Sequence, residues 1–114
     1  MKTEFIKHVN KWWWGTTINI VTTNGHAMVE LQFDDNYPTI AFVKGLIVYA
    51  PFRRNGLGTA LLNECHEIAR NKGYSYLQLS ANKNEIWLWE WYQRRFGFEV
   101  IMKDDHEYTM LKSL

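Results

Sequence analysis

The feature that most constrains the fold is a nearly continuous apolar run, TIAFVKGLIVY at 39–49, followed at once by PFRRNGLGTALL at 51–62. Such a run is typical of a central β-strand that is covered on both faces. From Gly56 to Lys72 the apolar residues recur at helical spacing, and Gly73 supplies a stop. The sequence therefore predicts a strand, a glycine-rich turn and a helix in direct succession.

The glycine-rich turn predicts a site for a phosphate or pyrophosphate. Gly56 and Gly58 lack a Cβ, so the backbone can adopt a positive φ and approach a ligand closely. The helix start supplies unpaired N–H groups and partial positive charge, beside Arg53 and Arg54. A Walker loop is excluded because NGLGTA has no Gly-Lys-Ser/Thr ending. The dinucleotide fingerprint is excluded because Leu61 stands at its third-glycine position.

A hairpin precedes the apolar run. TTINIVTT and HAMVELQF are β-rich and joined through Asn24-Gly25, a strong hairpin signal, and DDNYP then predicts a turn. The residues in front of it, FIKHVNKWWWG, fit either a helical stripe or an edge strand followed by a bend. For the three tryptophans 12–14 we expect a lid on the core, with part of an acceptor pocket or a dimer contact as the alternative.

The second half alternates strand, helix and hairpin. YLQLSA predicts a strand, and NEIWLWEWYQRRF a helix capped by Asn84 or Asn82 and ended by Gly97. FEVIMK and EYTMLKSL predict a last hairpin around Asp104-Asp105. This order predicts a mixed α/β sheet with an antiparallel front half. Because no repeat, linker or low-complexity run interrupts it, we expect a single domain over 1–114.

Composition narrows the classes of partner and compartment. Thirteen basic and twelve acidic residues leave a formal net charge of +1, which offers no footprint for nucleic acid or an anionic membrane. The first residues have neither a secretory signal nor a spanning segment, so we expect a soluble cytoplasmic protein. The single cysteine, Cys65, excludes an internal disulfide and a cysteine-built zinc site, and we expect no bound metal. Cys65 falls on the apolar stripe of its helix, so we expect a buried thiol rather than a nucleophile activated by His66.

A third phosphate-binding pattern does match the turn. Val48, Arg53, Gly56 and Gly58 in the frame V-x-x-x-x-R-x-x-G-x-G resemble the acetyl-CoA motif of the GNAT superfamily of N-acetyltransferases. WYQRRFGF is similar to that family's tyrosine followed by Gly-Phe, and the element order from 16 to 114 is similar to its core. The resemblance implies an α+β fold with a mixed, mostly antiparallel sheet of about six strands. It also implies that the sheet splays at a cofactor cleft and is flanked by helices.

The resemblance implies acetyl-CoA as the cofactor and assigns residues to it. The pyrophosphate would lie on the backbone N–H groups of 53–59, and the pantetheine arm would bond along the strand at 46–48. Asn84 resembles an asparagine that contacts the cofactor in relatives, although a plain helix cap explains it as well. The implied cofactor residues are Leu46, Ile47, Val48, Arg53, Arg54, Asn55, Gly56, Leu57, Gly58, Thr59 and Asn84.

The implied proton donor to the departing thiolate is Tyr92. Relatives commonly have three residues between this tyrosine and the glycine, whereas YQRRFG has four, so Trp91 or Gln93 is the alternative occupant of the site. Packing is the alternative role of Tyr92. No base is assigned: the strand that carries a glutamate in many relatives offers only Lys44. The acidic residues that could line the acceptor side are Glu30, Asp34, Asp35 and Glu90.

The leading function is therefore an N-acetyltransferase that moves an acetyl group from acetyl-CoA directly to a primary amine. The alternative is a binding module for CoA or acyl-CoA that acts through a partner, and a nucleotide-binding domain is remote. Relatives usually have two helices between their first two strands, but the residues in front of TTINIVTT leave room for one short helix at most. We therefore expect an acceptor site that is open to a small-molecule or protein amine, or completed by a second copy in a homodimer.

Overall fold

The computed structural model describes residues 3–53 and 55–114. Its elements in chain order are β1 (Phe5–Trp12), β2 (Gly15–Thr22), β3 (Ala27–Asp34), β4 (Ile40–Val48), a 3-10 turn (Ala50–Phe52), α1 (Leu57–Asn71), β5 (Tyr76–Asn82), α2 (Ile86–Phe96), β6 (Glu99–Lys103) and β7 (Glu107–Ser113). Within these ranges seven strands form one sheet in the order β1-β2-β3-β4-β5-β7-β6. The expected mixed sheet is confirmed, with one strand more than the six anticipated.

The front of the sheet is an antiparallel meander from β1 to β4. Asn24-Gly25 turns the chain between β2 and β3 as predicted, with Gly25 at a φ of 76°. The Thr22 hydroxyl accepts hydrogen bonds from the backbone N–H groups of His26 and Ala27, which fixes the turn. The hairpin is thus set by local chemistry, and this is why the sequence revealed it.

The opening segment forms the edge strand β1, and the described residues before β2 form no helix. The expected tryptophan lid on the core is wrong. Trp13 is 92% exposed and Trp12 52% exposed. The Trp12 indole N–H donates to the Thr17 hydroxyl at 3.0 Å, and its ring stacks on Trp14 at 6.4 Å between centroids. These rings lie along the outside of the sheet because β1 pairs with β2 over its whole length and leaves the core to β2.

Both helices pack on one face of the sheet. The side chains of Ala41, Leu77 and Met110 point to that face, and they share one buried cluster with residues of α1 and α2. At the two ends of the layer, Lys7 of β1 forms an ion pair with Glu64 of α1 at 2.6 Å, and the Lys112 ammonium of β7 lies 5.9 Å from the Phe96 ring centre of α2. In the described part of the chain no helix covers the opposite face, which we call the open face.

Strand β4 is consequently covered on one face rather than two, which corrects the expectation drawn from its apolar run. Ala41 and Val43 are buried under the helices, whereas Lys44 is exposed and Ile47 is 46% exposed. The long dimensions of the molecule, 36 and 32 Å, against a thickness of 21 Å fit a two-layer arrangement of one sheet and one helix layer. Neither helix in the described ranges is long and apolar enough to cross a membrane.

The helix ends differ in part from expectation. Gly56 is the N-cap of α1, and Gly97 ends α2 in the left-handed region at a φ of 78°, as predicted. The N-cap of α2 is Glu85 without a side-chain cap, so the expected cap by Asn84 or Asn82 is wrong. The Asn82 side chain instead accepts a hydrogen bond from the backbone N–H of Asn84 at 2.8 Å. This bond forms a local turn before the helix, which begins at Ile86.

Candidate functional site

The start of α1 presents a row of backbone donors that have no acceptor in the described part of the chain. The first amide with a backbone acceptor is that of Ala60, which donates to the Gly56 carbonyl at 2.9 Å. The N–H groups of Asn55 to Thr59 donate to no acceptor within the ranges 3–53 and 55–114. No acidic residue stands in the first turn of α1, so nothing there competes for these donors or for the helix dipole. The turn predicted to bind a diphosphate therefore has its amides available.

The two glycines of this turn have separate structural reasons. Gly56 has a φ of 78°, in the left-handed region that favours glycine, and beyond its two chain neighbours no heavy atom of a described residue lies within 4 Å of where its Cβ would be. Gly58 is helical, and a Cβ there would lie 3.1 Å from Cη2 of Trp91 and 3.7 Å from Cγ2 of Val48. Gly56 thus leaves open space beside the donors, while Gly58 lets α2 approach the end of β4.

Arg53 connects the turn to the strand before it. Its Nε donates to the Val48 carbonyl at 3.0 Å, and the rest of its guanidinium is exposed. This bond holds a cationic side chain between the end of β4 and the amides of α1, where a bound anion would be neutralised. Arg54, the other predicted arginine, lies outside the described residues.

Strands β4 and β5 form a cleft. They pair in parallel only through Ile40–Tyr76, Ala41–Leu77 and Phe42–Gln78. Beyond Phe42 they separate, so the edge of β4 over Leu46, Ile47 and Val48 pairs with no strand on the β5 side within the described ranges. These are the residues expected to bond a pantetheine arm. An added strand-like ligand could pair along this edge, where the Val48 carbonyl already accepts from Arg53.

A β-bulge in β4, which the sequence reading missed, lies at this cleft. Between the pairs Met28–Ile47 and Glu30–Lys44 the chain advances two residues on β3 and three on β4. Gly45 lies within this step at a φ of 58°. A glycine inside an apolar strand run is a recognised sign of a bulge, so the signal was present in the sequence. The bulge re-aims the residues of β4 that follow it.

Tyr92 is in the helix layer rather than on an open surface. It is 5% exposed, and its ring lies 5.4 Å from Trp91 and 5.8 Å from Phe98 between centroids. Burial, with a smaller contribution from the negative charge of Glu85, raises the pKa of Tyr92 from 10.0 to about 12. The phenol is thus protonated throughout the neutral range, as a proton donor must be.

The alternatives to Tyr92 are placed differently. Trp91 lies on α2 and reaches the turn through its contact with Gly58. Its indole has no acidic group that could protonate a thiolate. Gln93 is exposed and faces away from the core. Asn84 lies at the carboxyl end of β5, just before α2, and its side chain makes no hydrogen bond to a described residue. The roles of Tyr92 and Asn84 stay predictions.

The acidic candidates separate into two groups. Glu30 and Asp34 project from β3 onto the open face, where the Gln32 amide donates to Glu30 at 2.9 Å. Asp35 is exposed in the turn after β3, and Glu90 lies on α2 in the other layer. Lys44 also projects onto the open face, across from Glu30. Only the first pair shares a face with the mouth of the cleft.

Cys65 is a core thiol, as expected. It is fully buried, and desolvation, with the nearby Glu64 charge, raises its pKa from 9.0 to about 12. Burial is also the main cause of the lowered pKa of His66, followed by the positive charge of Lys112. A thiol that holds its proton so firmly is not a nucleophile at neutral pH.

Comparison with known proteins identifies relatives of this arrangement. The profile of the acetyltransferase (GNAT) family matches residues 8–98. No curated protein sequence matches the chain. Among solved structures, an acetyl-CoA-bound GNAT family acetyltransferase from Elizabethkingia anophelis has a TM-score of 0.72 at 16% identity, over 89% of this chain and 77% of its own. Ard1 from Thermoplasma volcanium has a TM-score of 0.72 at 18% identity, over 86% and 70%.

A further structural neighbour carries coenzyme A. The PaiA N-acetyltransferase from Thermoplasma acidophilum, solved in complex with coenzyme A, has a TM-score of 0.69 at 21% identity. The match covers 86% of this chain but 60% of that one, so this chain spans only part of the length of that neighbour. At such identities the likeness is one of fold, and it agrees with the seven-stranded splayed sheet described above.

Proposed function

The chain belongs to the GNAT family of acetyltransferases, and we propose from this premise that it transfers the acetyl group of acetyl-CoA to a primary amine, directly and within a ternary complex. Members of this family bind acetyl-CoA or CoA. The observation that carries the proposal is the row of amides from Asn55 to Thr59 at the start of α1, which donate to no acceptor among the described residues. Backbone donors, a helix dipole and an arginine converge there without any competing carboxylate.

The residues of this chain fit the cofactor at three places. The amides of 55–59 and the Arg53 guanidinium suit a diphosphate, and the open space beside Gly56 admits it. The unpaired edge of β4 over 46–48 suits the amide-bearing arm, which would extend the sheet as an added strand. Asn84 stands at the same end of β5 and would contact the arm from the other wall of the cleft.

When bound, the cofactor supplies an activated thioester carbonyl. The residues of the chain hold that carbonyl beside the amine, which replaces much of the entropy cost of a bimolecular encounter. Backbone N–H groups near Val48, at the unpaired edge, would stabilise negative charge on the carbonyl oxygen. Tyr92 would supply a proton to the departing thiolate, since its phenol is protonated in the neutral range.

A second function, a CoA-binding module without efficient transfer, has one observation in its favour. Strand β4 carries Lys44 rather than a carboxylate on the open face, and Tyr92 is almost entirely buried. Such a module would bind acetyl-CoA with the same residues and would act through a partner. Turnover, rather than binding, separates it from the enzyme.

The test is a thermal-shift titration with acetyl-CoA, CoA, ATP and NAD, followed by an amine panel with the ligand that binds. At a ligand concentration of about 100 times Kd we expect acetyl-CoA to add about 2.7 kcal/mol of stability, a rise in Tm of roughly 10 °C. ATP and NAD should give no comparable rise. Absence of any shift with acetyl-CoA or CoA would refute both functions, while a shift without turnover of any amine would favour the binding module.

A matched pair of variants at Gly56 makes the test specific. Asparagine and aspartate both tolerate the left-handed region, and both favour the N-cap position. Gly56→Asp places a carboxylate at the proposed diphosphate site, so it should abolish the acetyl-CoA shift while the free protein stays as stable as before or gains stability. Gly56→Asn should keep most of the shift. Equal loss from both variants would point to steric damage instead of charge.

A further inference from the structure

The open face carries a groove beside the cleft. Its volume is about 290 Å³, and it is lined by Gln32, Asp34, Tyr37, Ile40, Phe42, Lys44 and Gln78. Phe42 and Gln78 form the last pair between β4 and β5, so one wall of the groove is the point where these strands separate. A molecule in the groove would therefore lie next to the cleft in which the thioester is proposed to be held.

The groove has an aromatic wall suited to a cation. Tyr37 and Phe42 meet edge to face with centroids 5.5 Å apart, and Tyr37 is 51% exposed. The chain itself already places an ammonium against this wall, because Lys44 Nζ lies 5.9 Å from the Phe42 ring centre. Aromatic faces attract ammonium groups electrostatically, so this wall is compatible with a cationic ligand.

The charges of the groove are separated along the strands. Asp34 is level with Ile40, before β4 and β5 part, since the neighbouring pair is Phe33–Ala41. Lys44 lies on β4 beyond the last β4–β5 pair, with Glu30 across from it and held by Gln32. The groove thus has a carboxylate at the end remote from the cleft and a lysine at the cleft end.

We propose that this groove binds the acceptor, and that the acceptor is an aliphatic primary amine carrying a second ammonium group. This inference rests on the proposed acetyltransferase function and adds the class of substrate. The second ammonium pairs with Asp34 beside Tyr37, and the reacting amine lies at the cleft end between Phe42 and Gln78. Strand spacing puts the backbone of Asp34 roughly 12 Å from that of Gln78, two strands across and two residues along, which matches an extended diamine with its side-chain partners.

The reacting amine must lose its proton before it attacks the thioester. A positive charge close by disfavours a second one, so Lys44 at the cleft end favours the neutral form of that amine, while Asp34 favours the charged form of the other. The groove therefore distinguishes the two ends of the acceptor. In the transfer, the amine nitrogen would bond to the acetyl carbon and give up one proton, the carbon–sulfur bond would break, and the thiolate would gain one proton to leave as free CoA, so that protons balance.

The test uses calorimetric titration of the full chain, without acetyl-CoA, against cadaverine and pentylamine, which share a carbon chain but differ in the second ammonium. We expect cadaverine to bind about ten-fold more tightly, because a charge-assisted hydrogen bond to a half-buried carboxylate contributes on that order. Asp34→Asn should remove the difference, and its remaining side-chain oxygen can still accept from the Asn36 amide as in the native turn. Asp35→Asn, an exposed acid next door that does not line the groove, is the control and should keep the difference.

Equal affinity for the two amines in the native protein would overturn the proposal, as would an equal effect of the two variants. If acetyl transfer is measurable, the ratio of KM for pentylamine to KM for cadaverine should fall towards one in Asp34→Asn alone. The acetyl-CoA titration is independent of this groove. Failure of acetyl-CoA to bind would therefore contradict the proposed function. Loss of diamine selectivity with intact acetyl-CoA binding would contradict only the proposal for the groove.

Discussion

At the residue scale, Gly56 and Gly58 show that two glycines in one motif can be required for different reasons. Gly56 is needed by the backbone, because its φ of 78° is costly for other residues, whereas no described residue beyond its chain neighbours crowds the place of its Cβ. Gly58 is favoured by packing, because a Cβ there would lie only 3.1 Å from the Trp91 ring. The sequence reading attributed both to a ligand. The structure supplies a reason for Gly58 that is independent of any ligand.

A double-mutant cycle separates these reasons. We expect Gly58→Ala to cost about 1 kcal/mol in the native protein through the clash with Trp91, and to become neutral or stabilising when Trp91→Leu removes the ring. The coupling should be about 1 kcal/mol, measured by urea unfolding of the four proteins. Gly56→Ala is the control: it should cost about 1 kcal/mol with or without Trp91, since its cost lies in φ. If Gly58→Ala changes the free energy of unfolding equally with and without the Trp91 ring, the explanation by packing is wrong.

The burial of Tyr92 fits a packing role, and its protonated phenol fits a role as an acid. Kinetic measurements distinguish these two roles. If it is the acid, Tyr92→Phe should lower kcat and kcat/KM together by about 100-fold, with acetyl-CoA affinity unchanged. Tyr108→Phe, on β7 against Trp89, is the control and should leave kcat as it is. Unaltered kcat in Tyr92→Phe would leave Tyr92 with its packing role alone.

The same tyrosine gives a pH dependence of stability. An unfolded tyrosine loses its proton near pH 10, whereas Tyr92 in the fold does so near pH 12 because of burial. Between these values the unfolded chain binds fewer protons than the folded one, so the free energy of unfolding must fall as the pH rises. Urea unfolding from pH 9 upward checks this, and the fall should be smaller in Tyr92→Phe. An identical slope in both proteins would show that other groups cause it.

At the scale of elements, β4 carries the site because it changes character along its length. Its first half pairs on both sides, and its second half, after the bulge at Gly45, pairs only with β3 in the described chain. The bulge turns Val48 to the helix layer, beside Gly58, and Ile47 to the open face. One extra residue in a strand thus determines which groups line the cleft.

Removing that residue should affect binding more than folding. Deleting Gly45 gives two residues on β4 against two on β3, so Leu46, Ile47 and Val48 keep their faces while the edge over 46–48 loses the bend that the bulge gives it. We expect the variant to fold with a lower Tm and to lose the acetyl-CoA shift. Gly45→Ala keeps the residue count and meets no atom within 4 Å, so it should cost about 1 kcal/mol through its φ of 58° and keep the shift. A retained shift after the deletion would refute the role of the bulge.

What the sequence predicted well was local. The Asn24-Gly25 turn, the stripe of α1 and the Gly97 stop depend on neighbouring residues, and the structure confirms them. What it missed depends on distant partners. The apolar residues of β1 satisfied helical spacing equally well, and only pairing with β2 makes them a strand. An apolar run likewise does not reveal whether a second helix layer exists, and so double coverage of β4 was inferred wrongly.

The candidate site divides along the same line. The motif singles out the amides of 55–59 and Arg53 in the sequence, because a strand, a turn and a helix start are contiguous in the chain. The groove on the open face joins Asp34, Phe42 and Gln78 from three strands, and no spacing in the sequence predicts that meeting. Glu30 and Asp34 were named only as acids that could line the acceptor side.

At the scale of the whole molecule, the described chain forms one sheet and one helix layer, so the other sheet face is open to solvent. The cleft between β4 and β5 connects the helix side of the sheet with this open face. The helix layer holds the proposed diphosphate site, while the open face holds the groove. A cofactor and an acceptor would then approach from opposite faces and meet where β4 and β5 part. This separation allows a ternary complex without either ligand blocking the other.

Hydrogen exchange tests this division in one experiment. In the free protein the amides of the central strands β3, β4 and β5 should exchange slowest and those of the edge strands β1 and β6 fastest, because edge pairing is one-sided. Saturating acetyl-CoA should slow exchange at 46–48 and at 55–59 and leave β1 and β6 unchanged. The amides of 55–59 donate to no described residue in the free state. Cadaverine should slow exchange around the turn that follows Asp34 and leave 55–59 as they were. Protection by acetyl-CoA confined to the open face, or spread evenly over the sheet, would contradict the placement of the two ligands on opposite faces.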